Sequence, residues 1–347
     1  MAIWLFRAGK LGEYENKFLT ENRIYLTWDK LNVDLEQVKD KTALYDVLKE
    51  YYPNAKPGAI RNWTGQVWPI AHEIEKGDWV VLPSKLKSSI HIGEVIGPYI
   101  HKPNAQDPFF HYRQVNWFAK DIPRSNFDQD LLYSLGAFMT VCRIRRNNAE
   151  KRIREMAKTR WKATSYPGEL FPASDDEETG SPVDLEEYAK DQIAKFLIIK
   201  FKGHGMTLLI EAILKAKGYV TYRSPEGPDK GIDILAAPEP FGFGEPKLCV
   251  QVKTQDTPVD RPTLDQLIGV MQNVKAEKGL LVSWSGFKNT VEKEVPAHFF
   301  QIRMWDQDDI IEELLSVYDR LDPELKSDLP LKQIWTLTYT DDESMSG

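Results

Sequence analysis

The segment SYPGELFPASDDEETGSPVD, residues 165–184, sets how this chain of 347 residues can fold. It holds three prolines and two glycines, and residues 166–189 carry eight acids and no Lys or Arg. It reads as an exposed linker, so each side must build its own core. The expected organisation is a first domain over 1–165 closed by a basic helix, an acidic linker over 166–184, a second domain over 185–325 and a tail over 326–347.

Charge follows the same division. Residues 1–165 hold 26 Lys/Arg against 19 Asp/Glu, and residues 190–347 hold 19 against 25, so the net −7 conceals a basic N-terminal half. Local fields steer polyanions more than net charge does, which keeps a nucleic-acid partner open. Cys142 and Cys249 are far apart and in no C-x-x-C pair. That excludes a disulfide framework or a cysteine-built zinc site and fits a reducing cytoplasm. The N-terminal IWLF is too short for a signal peptide. No apolar run approaches the roughly 20 residues that cross a bilayer, so no membrane partner is expected. No G-x-x-x-x-G-K-[ST] loop is present, so no nucleotide triphosphate is expected either.

Before the linker, strand-like runs such as IWLFRAG, RIYLTW, DWVVLPSK, IHIGEVIGPYI and HYRQVNWF recur with turns between them. Short strands at this spacing predict a small β-barrel with helical insertions. After the linker, DLEEYAKDQIAKFLIIKF and TLLIEAILKAKGY read as helices, and strands follow over 231–237 and 247–254. RPTLDQLIGVMQNVKA reads as helix, KGLLVSWS and HFFQIRMWD as strands, and QDDIIEELLSVYDRL as helix. The fold class expected is a two-domain α+β chain whose C-terminal part is an α/β layer domain with a mixed central sheet.

The stretch GIDILAAPEPFGFGEPKLCVQVKTQ, 231–255, carries polar groups where buried strands should be apolar. Side chains alternate along a strand, so Cys249, Gln251 and Lys253 share one face and Val250 and Val252 the other. If the two strands pair, Asp233, Gln251 and Lys253 converge. A carboxylate, an amide oxygen and an ammonium at one point make a hard-cation site suited to Mg²⁺, with a lysine to orient water and offset charge on a phosphodiester. Asp233 and Gln251 supply one negative charge, so a third acid would help. Glu211, on an otherwise apolar helix, is the candidate, against the alternative of a solvated helix glutamate.

These residues resemble the catalytic core of the PD-(D/E)xK nuclease superfamily, and more closely its Mrr-type restriction endonuclease branch, whose second metal ligand is Gln. The resemblance covers residues 204–315 and includes the GY closing the first helix, the G-x-D strand, the Q-x-K strand and LLVSWSGF. It implies Asp233 and Gln251 as metal ligands and Lys253 as the catalytic lysine. One departure concerns the Phe-Glu that such domains carry near the start of the first helix. That slot here is Met206-Thr207, and Glu211 lies one turn later on the same face, with His204 beside the missing position as a further candidate or a simple helix-start residue.

In the N-terminal half, IEKGDWVVLPSK, IHIGEVIGPYIH and HYRQVNWF resemble the EVE-like members of the PUA superfamily over residues 1–125. The resemblance implies a barrel that binds DNA carrying a modified base. A flipped base can be stacked between aromatic faces. The candidates for such a pocket are Trp28, Trp63, Trp68 and Trp117, which fall at strand ends or in turn-like stretches such as RNWTGQVWPI, with Asn62 and Thr64 for the base edge; the alternative is that these tryptophans are core. Arg143, Arg145, Arg146, Arg152 and Arg154 belong to a basic stretch suited to DNA phosphates, against the alternative of a solvated helix face. The linker is further expected to shield this stretch when DNA is absent.

The function expected is a cytoplasmic, modification-dependent, type IV-like restriction endonuclease using Mg²⁺, with Mn²⁺ able to substitute. Its partners would be double-stranded DNA with modified cytosine and a second copy when both strands are cut. The rival readings are a non-cleaving DNA-binding protein and an RNA-directed nuclease with a PUA-like RNA reader.

Overall fold

The computed structural model describes residues 1–136, 139–161, 184–225, 231–238, 241–255 and 257–335. The chain divides into two units, Met1–Asp191 with Thr336–Gly347, and Gln192–Trp335. Most of the expected acidic linker and the end of the tail lie outside the described residues. Among the described residues no helix is long and apolar enough to cross a membrane.

The first unit is built on strands β1 (Ile3–Phe6), β2 (Arg23–Leu26), β3 (Trp79–Pro83), β4 (Ser89–His101), β5 (His111–Pro123) and β6 (Val141–Arg143). They form a six-stranded sheet in the order β2-β5-β4-β3-β1-β6, with β1 and β3 parallel and the other pairs antiparallel. Where a small barrel was expected, the sheet is half-barrel-like, and its outer strands β2 and β6 stand at opposite ends of the order. The two long strands β4 and β5 bend through register shifts at Ile90/Ile92, Ile92/Gly93 and Val95/Tyr99. Such bulges curl a sheet, but closure would also need β2 to meet β6.

Helices α1 (Glu15–Thr20), α2 (Lys41–Tyr51), α3 (Pro57–His72), α4 (Gln129–Leu135) and α5 (Ala149–Lys158) cover it. β1 shows how both faces are buried. Trp4 and Phe6 enter the core shared with Leu44 and Leu48 of α2 and Ile60, Val67 and Ile70 of α3. Ile3 and Leu5 enter the other, with Leu131 and Leu135 of α4 and Ile153 and Met156 of α5. Asp78 ties this strand down: its carboxylate accepts the Ala2 N–H at 2.7 Å and the Trp4 indole N–H at 3.0 Å.

Helix α6 (Leu185–Lys200) contains the boundary between the units. The second unit continues with α7 (His204–Ala216), β7 (Tyr219–Arg223), β8 (Ile234–Pro238), β9 (Leu248–Lys253), α8 (Arg261–Val274), β10 (Lys278–Ser283), α9 (Asn289–Glu292), α10 (Val295–His298), β11 (Ile302–Trp305), α11 (Gln307–Val317) and α12 (Pro323–Asp328). Its sheet runs β11-β10-β9-β8-β7, with β9, β10 and β11 parallel and β7 and β8 antiparallel to their neighbours. One face carries Ile234, Val250, Val252 and Val282 against Ile210 and Leu214 of α7 and Ile310 and Leu314 of α11. The other carries Leu235, Cys249 and Leu281 against Leu264, Leu267 and Met271 of α8. This is the mixed, two-sided α/β layer that the polar-bearing strands require, with β7 added at the edge.

Candidate active site

Strand β9 delivers the chemistry. Val250 and Val252 enter the α7-side core while Cys249 is buried on the α8 side. Strand alternation places Gln251 with Cys249, and Lys253 two residues further on the same side. Asp233 stands at the mouth of β8. Its N–H donates to the Val250 carbonyl at 3.0 Å, and its carboxylate Oδ2 accepts the Val252 N–H at 2.8 Å, so it brackets Gln251 along the neighbouring backbone. Burial pushes the Cys249 thiol up to about 11, and the charge of Asp233 adds to the rise. The three residues read from the sequence are thus placed along the C-terminal half of β9.

Gln251 is fully buried, at 0% exposure. Its amide Nε2 donates to Oε1 of Gln266, on α8, at 3.4 Å. Its Oε1 is buried and has no hydrogen-bond donor among the described residues. Gly231 lets these amides close up. Its φ is +84°, and a Cβ there would come 2.8 Å from Gln266 Nε2 and 3.4 Å from Gln251 Nε2. Lys253 is half-buried, and among the described residues its ammonium makes no ion pair. Beyond β10 the chain turns at Gly286, where the Ser283 hydroxyl donates to the Gly286 carbonyl at 2.6 Å and Val259 bridges Phe287. The LLVSWSGF segment thus forms the strand and small-residue turn expected of it.

Glu211 requires a correction. It is buried, at 8% exposure, but on the α7 side of the sheet. The Thr221 hydroxyl donates to it at 2.8 Å, and the Arg223 guanidinium and the Lys215 ammonium pair with it at 3.0 and 2.9 Å. Burial alone would raise its carboxyl, and these bonds from Lys215, Thr221 and Arg223 outweigh burial and hold it below the usual range. Thr221 and Arg223 sit on β7 opposite Ala236 and Ile234, whose side chains face α7. Gln251 faces α8, so these contacts hold Glu211 away from it. His204 opens α7 at an exposed position.

The N-terminal candidates also move. RNWTGQVWPI is the body of α3, not a turn. The Thr64 hydroxyl donates to the Ile60 carbonyl at 2.7 Å, and Asn62 Oδ1 accepts from Gln66. Trp63 packs edge-on against Tyr52, and Trp68 stacks on His72 with ring centroids 3.6 Å apart. Trp117 is 7% exposed and donates its indole N–H to the Phe18 carbonyl at 3.1 Å, while Trp28 packs half-buried against the same core. These contacts bind the six residues into helix and core. Of the basic candidates, Arg143, Arg145 and Arg146 are exposed, Arg143 pairing with Glu150 at 3.1 Å. Arg154 lies over the Trp79 ring at 4.4 Å. Arg152 is 7% exposed and clasped by Asp128 and Asp130, which removes it from any phosphate.

Among the described residues no group of three or more His, Cys, Asp and Glu could hold a metal. The donors at β9 are of another kind, a carboxylate and a buried amide oxygen that lacks a donor. Hard oxygens of this type fit a divalent cation that keeps several waters.

Residues 198–314 match the family model Mrr_cat, described as restriction endonuclease, and residues 4–141 match DUF8426, a domain of unknown function. No curated protein matches. Two solved structures do. The DNA modification-dependent restriction endonuclease AspBHI is 13% identical, with 84% of this chain and 72% of that one covered, at a TM-score of 0.33. The MspJI restriction endonuclease in complex with a 27-mer oligonucleotide is 10% identical, with 93% and 76% covered, at 0.31. Likeness this slight leaves the assignment to the matched family model. The domain spanning residues 198–314, which carries Asp233, Gln251 and Lys253, is a restriction endonuclease domain of the Mrr catalytic type.

Proposed function

We propose that this chain is a Mg²⁺-dependent DNA endonuclease of the modification-dependent restriction type, in which the first unit selects DNA and the second hydrolyses it. The observation that carries the catalytic part is the buried Gln251 Oε1, without a donor among the described residues, beside the fixed carboxylate of Asp233. Asp233 and Gln251 would hold the cation, and Mn²⁺ would serve in its place. When bound, a divalent ion lowers the pKa of water and stabilises charge on a phosphodiester.

The chain's own residues do the rest. The Val252 N–H fixes the orientation of the Asp233 carboxylate. Gly231 allows the Gln251 and Gln266 amides to lie close beside it. Lys253 places a positive charge at the end of β9, where it offsets charge developing on the phosphate oxygens. A basic stretch in the first unit supplies phosphate contacts through exposed residues such as Arg145 and Arg146.

Digestion of matched duplexes containing plain, methylated, hydroxymethylated or glucosylated cytosine, with Mg²⁺, tests the reading. Cleavage confined to one or more modified duplexes is expected. Equal cutting of all four duplexes would remove the modification-reading part. Binding without cutting in either Mg²⁺ or Mn²⁺ would make the chain a non-cleaving DNA-binding protein. Stronger competition by structured RNA than by DNA would make it an RNA-directed nuclease.

A further inference from the structure

The first unit contains a cleft of about 310 Å³ between the α1–β2 segment and the connection from β4 to β5. That is at the lower end of the size of small-ligand sites, roughly 300–1,000 Å³. Its floor is aromatic. Tyr25 meets Phe109 and Tyr112 with ring centroids 5.2 and 5.6 Å apart. Its rim is cationic. The Arg23 guanidinium lies over the Tyr112 ring at 4.3 Å, and the Lys17 ammonium lies over Phe109 at 4.7 Å. Glu21 holds both cations in place, pairing with Lys17 at 2.6 Å and with Arg23 at 3.1 Å, and accepts the Tyr25 hydroxyl. Lys102 stands exposed on the other side, beside the exposed amides of Asn104 and Gln106.

These groups are more than a solvated charged face needs. A guanidinium over a ring can meet another planar group on its outer side. Three cations against one carboxylate leave a net positive charge for an anion. Two side-chain amides offer both donors and acceptors to a heterocycle edge. We propose that this cleft takes one nucleotide of DNA, its base stacked at Arg23 and read by Asn104 and Gln106, its phosphate held by Lys102 and Lys17. The proposal rests on the reading of the chain as a DNA endonuclease and moves the base-selecting site away from α3.

Calorimetric titration of the full-length protein in EDTA with dCMP, 5-methyl-dCMP, deoxycytidine and CMP tests it. The two deoxymonophosphates are expected to bind better than deoxycytidine. Arg23→Gln and Lys102→Gln should each weaken them about tenfold or more, as the loss of charged hydrogen bonds does. Lys102 is exposed, so its variant keeps the test sound if Arg23→Gln unfolds. Absence of monophosphate binding to wild type, or unchanged binding in Lys102→Gln, overturns the cleft. Tighter binding of CMP than dCMP overturns its assignment to DNA.

Cleavage of a modified duplex by the same preparations with Mg²⁺ separates the two readings. A wild type that cuts, with both variants cutting at unchanged selectivity, sinks the cleft and leaves the endonuclease standing. A wild type that never cuts but loses dCMP binding in both variants does the reverse.

Discussion

A buried amide oxygen without a donor costs about 1–3 kcal/mol, and Gln251 carries one in the middle of β9. Gln251→Leu removes that oxygen at similar size. In EDTA its melting midpoint should stay within about 4–8 °C of wild type, the span of roughly 1 kcal/mol in a small domain. Mg²⁺ or Mn²⁺ should raise the midpoint of wild type and leave that of Gln251→Leu unchanged. Melts with and without metal check this, and equal rises in both proteins would remove Gln251 from the cation. Gly231→Ala forces a side chain into left-handed backbone 2.8 Å from Gln266. It should cost about 2 kcal/mol by denaturant unfolding; an unchanged midpoint would contradict the packing described. Asp233, Gln251 and Lys253 were legible in the sequence because polar groups in an otherwise apolar strand demand a reason and alternation fixes their side. The lack of a donor at Gln251 was not legible, since it depends on Gln266, which reaches the site from another element.

Strand β7 was the missing element. Its sequence YVTYR leaves Val220 and Tyr222 exposed and Thr221 and Arg223 half-buried, so the usual apolar alternation is reversed. Without it Glu211 had no partners and looked available for metal. Glu211 now bears on pH. Its folded carboxyl lies below the ordinary range, so it adds stability above the ordinary glutamate pKa, and that contribution is lost as pH falls through the lower, folded value. Glu211→Gln should therefore be less stable than wild type at pH 7 by about 1–2 kcal/mol. The gap should shrink in acid. Urea unfolding from pH 7 to pH 3 measures both limbs, and a constant gap would contradict the ionic role. Helix α3 misled in the opposite direction. Trp63, Thr64, Gly65 and Pro69 look like a turn, yet Ile60, Val67 and Ile70 recur at helical spacing and bury against the sheet. The amphipathic period outweighed the breakers.

At the scale of the molecule, residues 1–165 carry 26 Lys/Arg against 19 Asp/Glu, and that excess bears on DNA affinity. The salt dependence of duplex binding should fall by roughly 0.9 in log–log slope for each phosphate contact removed. Arg145→Ala with Lys151→Ala, both at exposed positions, should reduce that slope. Arg152→Ala should leave it unchanged while lowering stability, because Arg152 is clasped by Asp128 and Asp130. Binding titrations across a salt series distinguish the two, and a slope change in Arg152→Ala alone would reverse the assignment. Hydrolysis at the end of β9 is checked by single-turnover cleavage of a modified-cytosine duplex by wild type and Lys253→Ala, with Mg²⁺. Lys253→Ala should lose about 10²–10⁴ in rate with duplex affinity nearly unchanged. Cleavage by Lys253→Ala at the wild-type rate would contradict it.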